Sequence, residues 1–543
     1  MISKNKQNLV AYFSMEIAFD ERLSNYAGGL GILAGDLLRS AADQKIPMIG
    51  MTLLNRSGYF KQTIGRDGGQ KSAPEKNNLH LLEKLKTKVT IFIGKDKIVV
   101  GAWRYFLRGE SGKVPIYFLD TDFLENKPAH RKLCDQLYGG DHLYRLKQEI
   151  VLGRGGIKIL EALKAKPDKF HINEGHGAFA LVELFLQDKE KNLTALKKRC
   201  IFTTHSPIKE ANDIFTLAEV KNNFPDFPLL KGLADNDNLN MAKIAMHFSG
   251  HINGVSKKHA EISREIFVEP RIKAITNGIH VGFWASDEMR ALYDQYFPKW
   301  RTNNKLISRK NLPEEDIWSC HLEAKRSLLA RVLSLNGEFL SLNDFTIVIA
   351  RRFAPYKRSA LLLENMGRLL KIQKKCGPIQ IIYAGKAHPK DLAGQKIIKE
   401  IISLKKKYHG KISITFLENY DLNLAKLLVA GADLWLNTPL PPNEASGTSG
   451  MKAAINGVPQ LSTLDGWWLE GYKEGLTGWK IDSINNYSDN VAMLDVLENK
   501  ILSIFYHNPK KWRKIMSSTI RLNAYRFSSE RAIKDYQKIM YEK

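Results

Sequence analysis

Cysteine is scarce in this chain: the four present (Cys134, Cys200, Cys320 and Cys376) stand far apart and form no C-x-x-C pair. That spacing excludes a zinc ribbon and a disulfide framework, so no metal site is expected and a reducing, cytoplasmic compartment fits. Long apolar runs are missing too. No stretch approaches the roughly 20 apolar residues that a membrane-crossing helix needs, and the polar, lysine-bearing N-terminus has no signal-peptide core. A protein with no membrane partner is expected. Short-period repeats and low-complexity segments are absent, which excludes solenoids and flexible tethers. So are a G-x-S-x-G elbow, an H-E-x-x-H helix and a paired-carboxylate glycosidase arrangement.

The sequence has 543 residues, enough for two domains that each bury a core. Hydrophobic residues make up 44% and charged residues 26%, a globular balance that argues against disorder. A net charge of +25 raises the question of nucleic acid. The excess is lysine scattered along the chain, in short runs such as Lys405, Lys406 and Lys407, with no basic tail and no arginine–aromatic interleaving. A solvated surface suited to an anionic substrate and cofactor is the reading, and no nucleic-acid partner is expected.

Val10 to Phe13 reads as a first strand, followed by the turn A-G-G-L-G-I-L-A-G-D from Ala27 to Asp36. Gly28, Gly29 and Gly31 there can bring backbone N–H groups to a phosphate, and a purely structural turn explains them equally well. Residues from about 50 to 120 are β-rich. Strands then alternate with helical patterns, which implies a doubly wound parallel sheet. Phe170–Ile172 ends in Asn173, Glu174, Gly175 and His176; Ile201–Thr204 ends in His205 and Ser206; Ile272–Ile275 leads to Asn277 and His280. Ligands of open α/β sheets sit beyond the carboxyl ends of strands, so three polar clusters at three such ends mark a site.

The pattern predicts a domain boundary near 285 and a second domain of the same architecture over 286–525. Its strands Phe345–Ala350, Ile379–Ala384, Ile412–Leu417 and Asp433–Asn437 again end in polar loops. After the first comes R-R-F-A-P-Y-K-R, in which Arg351, Arg352, Lys357 and Arg358 make either a solvated face or an anion clamp. After the last comes E-A-S-G-T-S-G-M-K-A-A-I-N-G-V-P from Glu444 to Pro459. This is a small-residue loop opening a helix, with Lys452 one turn inside on an apolar flank. Partial desolvation near the helix start favours the neutral amine that imine formation requires, though a solvated lysine fits the local pattern as well. An amphipathic helix, Ser529–Tyr541, closes the sequence within a segment 526–543.

The Glu444–Pro459 segment resembles the cofactor-binding segment of the α-glucan (glycogen, maltodextrin) phosphorylases, in the short bacterial and archaeal branch. The likeness runs from Ala11 to about Gly478 through Y-A-G-G-L-G, L-Y-G-G-D, H-I-N-E-G-H, T-T-H-S-P, N-G-V-S-K-x-H, I-T-N-G-I-H-V-G-F-W, the arginine pair and L-S-T-L-D-G-W-W-L-E-G. It departs at Arg351, where lysine is usual, at Ala354 and Pro355, at Gly69, where tryptophan is usual, and at Asn443. The resemblance implies two Rossmann-like domains facing a cleft, the GT-B glycosyltransferase plan: 1–285, 286–525, and a helix over 526–543 that returns to the first. It implies pyridoxal 5′-phosphate held by Lys452, and phosphorolysis of α-1,4-glucan with inorganic phosphate to α-glucose 1-phosphate, with retention. Thr448, Tyr420, Arg351, Gly28 and Gly29 would contact the cofactor. Arg352, Lys357 and His205 (through its main-chain carbonyl) would join Lys452 in catalysis. Asn277, Tyr356, Glu444, Ser446, Gly447 and Glu174 would bind the sugar. A homodimer is compatible with the resemblance.

Two other readings share these residues. A nucleotide-sugar-dependent glucan synthase would use Glu444 and Gly447 in an E-x-x-G spacing, but has no use for Lys452. A silent glycan-binding protein on the same fold would be expected to lack Lys452 or the clamp.

Overall fold

Two sheets organise the chain in the computed structural model, which describes residues 8–206, 212–226, 233–482 and 488–542. The residues cluster into two compact units. The first comprises the residues up to Phe60, Pro74–Asn277 and those from Ser529 on. Its strands are β1 (Val10–Ser14), β2 (Met48–Leu53), β3 (Glu83–Ile93), β4 (Asp96–Arg108), β5 (Lys113–Asp120), β6 (Lys169–Asn173), β7 (Cys200–Thr203), β8 (His251–Gly254) and β9 (Ile272–Ala274). They form one sheet in the order β9-β8-β7-β6-β1-β2-β5-β4-β3, parallel from β9 to β5, with β4 and β3 added antiparallel. β1 and β2 are buried at every position, as parallel strands covered on both faces must be.

Strand β8 escaped the sequence reading because half of its four residues are polar. The fold satisfies Asn253 internally. The Thr203 hydroxyl donates to Asn253 Oδ1 at 2.7 Å, and Asn253 Nδ2 donates to the Tyr536 hydroxyl at 3.1 Å. Tyr536 belongs to the C-terminal helix Ser529–Tyr536, which the chain continues as a wider turn over Gln537–Tyr541. The His171 ring is enclosed in the same network, with Nε2 2.7 Å from Thr203 Oγ1 and Nδ1 2.8 Å from the Tyr541 hydroxyl. Because the Thr203 proton goes to Asn253, His171 donates from Nε2 and accepts at Nδ1.

This burial has a pH consequence. Burial pushes His171 down to about 3 and, with opposition from the Ser206 carbonyl, His259 down to about 4. Both rings are neutral in the folded protein, while the unfolded chain takes up protons near pH 6.5. Stability is therefore full above that value and falls as pH drops toward the folded values. At pH 5 each ring costs roughly 2 kcal/mol. Thermal unfolding between pH 7.5 and 5 should show this slope, and His259→Gln should flatten it.

The second unit comprises Lys61–Ala73 and Gly278–Ser528. Its sheet strands are β10 (Phe345–Ala350), β11 (Ile379–Ala384), β12 (Ser413–Leu417), β13 (Leu434–Asn437), β14 (Gln460–Thr463) and β15 (Gly478–Ile481). All are parallel, in the order β12-β11-β10-β13-β14-β15. This is the doubly wound order whose reversal point, between β10 and β13, opens a crevice at the strands' carboxyl ends. β10 and β11 have the bounds expected from their unbroken apolar runs, and both are wholly buried. The hairpin Lys61–Ile64 with Gln70–Ala73 belongs to this unit, although its sequence lies inside the first. Among the described residues no helix is long and apolar enough to cross a membrane.

Candidate active site

In the second unit the crevice is lined by the loops that follow β10 and β13, and backbone hydrogen bonds fasten the two together. Leu440 N–H donates to the Tyr356 carbonyl at 2.7 Å, and the Thr438 hydroxyl lies 3.0 Å from the carbonyls of Lys357 and Arg358. The Lys357 ammonium pairs with the Glu444 carboxylate. Burial alone would raise the Glu444 carboxyl, but Lys357, Arg351 and Arg352 outweigh it and hold the group below the usual carboxylate range. Arg351 donates from one guanidinium NH₂ to the Lys357 carbonyl at 3.1 Å. Its Nε–H is buried with no hydrogen-bond partner among the described residues. Burial pulls this guanidinium down to about 10, against the pull of Glu444 and Tyr356. A desolvated cation with an unmet donor is a built anion seat. Arg352 is exposed beside it.

Glu444 is fixed from its other side by Asp465, whose carboxylate accepts from Glu444 N–H at 2.8 Å. Burial lifts Asp465 to about 6. The sequence reading passed over Asp465, although it stands in the quoted L-D-G-W-W run. The Ser446 hydroxyl is a second buried group without a partner among the described residues, and Gly447 turns the chain at φ +74°. Helix Ser449–Ala454 then begins, with the Thr448 carbonyl accepting from Lys452 N–H at 3.3 Å. Gly450 admits no side chain there: a Cβ would lie 1.6 Å from Gln460 Oε1.

Lys452 is 8% exposed, with Nζ 3.9 Å from the centroid of the Trp284 ring. Asn456 holds the two together: its side-chain N–H groups donate to the carbonyls of Trp284 (3.0 Å) and Lys452 (2.9 Å). Nothing in the local sequence points to Trp284, which lies 168 positions earlier in the chain. Tyr420 is partly buried after β12, and burial raises its hydroxyl well above the ordinary tyrosine value. His280, which was grouped with the polar strand ends, serves as a helix cap, its Nδ1 accepting from Phe283 N–H at 3.0 Å.

In the first unit the strand ends of β6 and β7 meet. Glu174 has φ +71° and ψ 164°, backbone space that side chains other than glycine enter at a cost of about 1–3 kcal/mol. Its carboxylate accepts from His205 N–H at 2.8 Å and from the Ser206 hydroxyl at 3.1 Å, bracing that turn. The His205 ring, pushed down to about 3 by burial and by His259, His171 and His176, bonds through Nε2 to Asn173 Oδ1 at 2.7 Å. Asn277 is buried, and its side-chain N–H₂ has no partner among the described residues. Ahead of helix Gly29–Asp43, the buried Glu16 carboxylate takes the N–H groups of Ala27 (2.5 Å) and Gly28 (3.2 Å). Gly28 N–H is therefore already engaged, while a Cβ on either Gly28 or Gly29 would meet nothing within 4 Å. Pro207, the last residue of T-T-H-S-P, lies outside the described residues.

Comparison with known proteins identifies the family. Residues 205–474 match the carbohydrate phosphorylase family model, and residues 26–275 match that of the starch synthase catalytic domain. Maltodextrin phosphorylase of Thermococcus litoralis is 37% identical over 98% of this chain and 70% of its own length. Glycogen phosphorylase of Aquifex aeolicus is 34% identical over 98% of this chain and 86% of its own. An uncharacterized Methanocaldococcus jannaschii protein, MJ1631, is 33% identical over 98% of this chain and 99% of its own. The α/β fold, the site and these matches define the class, a glycosyltransferase-type enzyme. Within that class the chain belongs to the α-glucan phosphorylase family.

Proposed function

We propose that the protein is a pyridoxal-phosphate-dependent α-1,4-glucan phosphorylase that releases α-glucose 1-phosphate from glycogen or maltodextrin with inorganic phosphate, retaining the anomeric configuration. The observation that carries this reading is the buried Lys452 amine, a few residues beyond Glu444, whose carboxylate is paired into a cluster of cations with an unmet guanidinium N–H. The donor set suits the cofactor. Lys452 and Thr448 would hold it, Tyr420 would border its ring, and Arg351 and Gly29 would receive its phosphate, while Gly28, whose N–H Glu16 takes, would contribute only its open flank. When bound, the cofactor supplies a phosphate able to give and take a proton beside the substrate phosphate.

The protein's own task is electrostatic. Two like charges 4 Å apart repel by roughly 4 kcal/mol in a protein-like dielectric, so adjoining phosphates need surrounding cations. Arg351, Arg352 and Lys357 supply them. An arriving phosphate competes with Glu444 for Lys357 and frees that carboxylate to accept from a sugar hydroxyl. Ser446 in the second unit and Asn277 in the first each hold a buried, unmet polar group that would bond a sugar hydroxyl, and Tyr356 and Gly447 would bind the sugar as well. Glu174 sets the His205 turn so that its carbonyl can stabilise the developing positive charge. The two-domain GT-B plan is part of this proposal.

The starch synthase match gives a second reading some support, a nucleotide-sugar-dependent glucan synthase. Purified protein distinguishes them. One equivalent of pyridoxal phosphate by absorbance, together with glucose 1-phosphate released from maltodextrin and phosphate, is the expected result. Glucosyl transfer from ADP-glucose or UDP-glucose by cofactor-free protein would sink the phosphorylase reading.

A further inference from the structure

The hairpin that the second unit takes from early in the sequence ends on the carboxyl side of that unit's sheet. Gln62, 1% exposed, makes four hydrogen bonds there. Its N–H donates to Asn419 Oδ1 (3.2 Å), and its Oε1 accepts from Asn419 N–H (3.0 Å). Its Nε2 donates to the Gly385 carbonyl (2.9 Å) and to Gln70 Oε1 (2.8 Å). Gln70 in turn is bonded to both the N–H (3.0 Å) and the carbonyl (2.9 Å) of Ala387.

Two of these partners, Asn419 and Gly385, adjoin residues of the site. Asn419 stands at φ +53°, immediately before Tyr420. The reciprocal bonds to Gln62 hold this left-handed turn in place. Gly385, at φ +142°, lies against Arg351, and a Cβ there would be 1.9 Å from the Arg351 carbonyl. The residues flanking Gly385 complete the link: the Ala384 carbonyl accepts from Arg351 N–H at 3.1 Å, and the Lys386 carbonyl accepts from Phe353 N–H at 3.0 Å. One buried amide therefore ties the loop carrying Tyr420 to the loop carrying Arg351.

We propose that Gln62 is a positioning residue for cofactor binding, fixing the Tyr420 turn relative to the Arg351 guanidinium. The inference rests on the pyridoxal-phosphate reading above. Gln62 touches neither cofactor nor substrate; it sets where two groups on separate strand ends stand. Removing its side-chain bonds leaves the hairpin attached through Gln70 but lets the two loops move apart.

The test uses Gln62→Leu, which keeps the bulk and loses the amide. Cofactor retention through dialysis, the absorbance and emission of the bound cofactor, and the melting temperature are read beside phosphorolysis. Cofactor loss about tenfold faster is expected, with a melting temperature lower by no more than a few degrees. If Gln62→Leu fails to fold, Gln62→Asn is read the same way. Retention equal to wild type, or a loss that only follows a fall in melting temperature, overturns the inference. Wild-type protein that binds no pyridoxal phosphate at all overturns the functional reading first, and this one with it.

Discussion

Lys452→Ala is expected to yield folded protein that holds no pyridoxal phosphate and has lost phosphorolysis by at least about 10²–10⁴-fold, the range that one acid–base contribution supplies. The loss should be chemical and not structural. The side chain lies over the Trp284 ring, a contact worth about 0.5–2 kcal/mol. The helix it sits on is anchored by backbone and by Asn456, which donates to the Lys452 carbonyl whatever the side chain. Lys452→Arg keeps a cation over Trp284 but lacks a primary amine, so it should lose the cofactor equally. Absorbance of the purified variants and release of glucose 1-phosphate check both outcomes. A Lys452→Ala protein that binds the cofactor tightly and remains active would end the case for this amine.

The largest stability effect is expected at Asp433, just before the amino end of strand Leu434–Asn437. Its carboxylate is 1% exposed and accepts from Lys325 Nζ (2.6 Å), His321 Nε2 (2.9 Å) and Thr346 N–H (2.7 Å). Burial on its own would raise this carboxyl; Lys325 and His321 overcome that and hold it below its usual value. Asp433→Ala strands the Lys325 ammonium without a counter-ion, leaving it the Asp344 carbonyl at 2.8 Å and the face of the Phe505 ring. Breaking a buried pair in this way costs about 3–5 kcal/mol. For a unit of this size that lowers the melting temperature on the order of 10 °C. Asp433→Leu combined with Lys325→Met and His321→Leu should recover most of the loss, since an apolar cluster of similar volume leaves no charge unpaired. A single variant that melts like the wild type would show the cluster to be dispensable.

Much of the fold was legible because parallel strands buried on both faces announce themselves locally. Phe345–Ala350 and Ile379–Ala384 fall where their apolar runs place them. The four-residue strand His251–Gly254 was not legible, because its Asn253 is matched by Thr203 and by Tyr536, the latter nearly three hundred positions away. The site divides in the same way. The clamp arginines and the Glu444–Lys452 segment could be picked out by residue type. The Lys357–Glu444 pair could not, nor could the engagement of Gly28 N–H by Glu16, since both depend on which loops the sheet order brings together.

The sequence alone determined which chemistry is available: an amine on an apolar flank, cations after one strand, and small residues opening a helix, each a property of a short stretch. Tertiary structure alone decided that Trp284 lies under that amine, that Gln62 reaches Asn419 and Gly385, and that Asp433 meets Lys325. The reason is one of range. Periodicity and composition report the environment of a residue's own segment, whereas a buried hydrogen bond or ion pair between distant segments leaves no local trace in either of them.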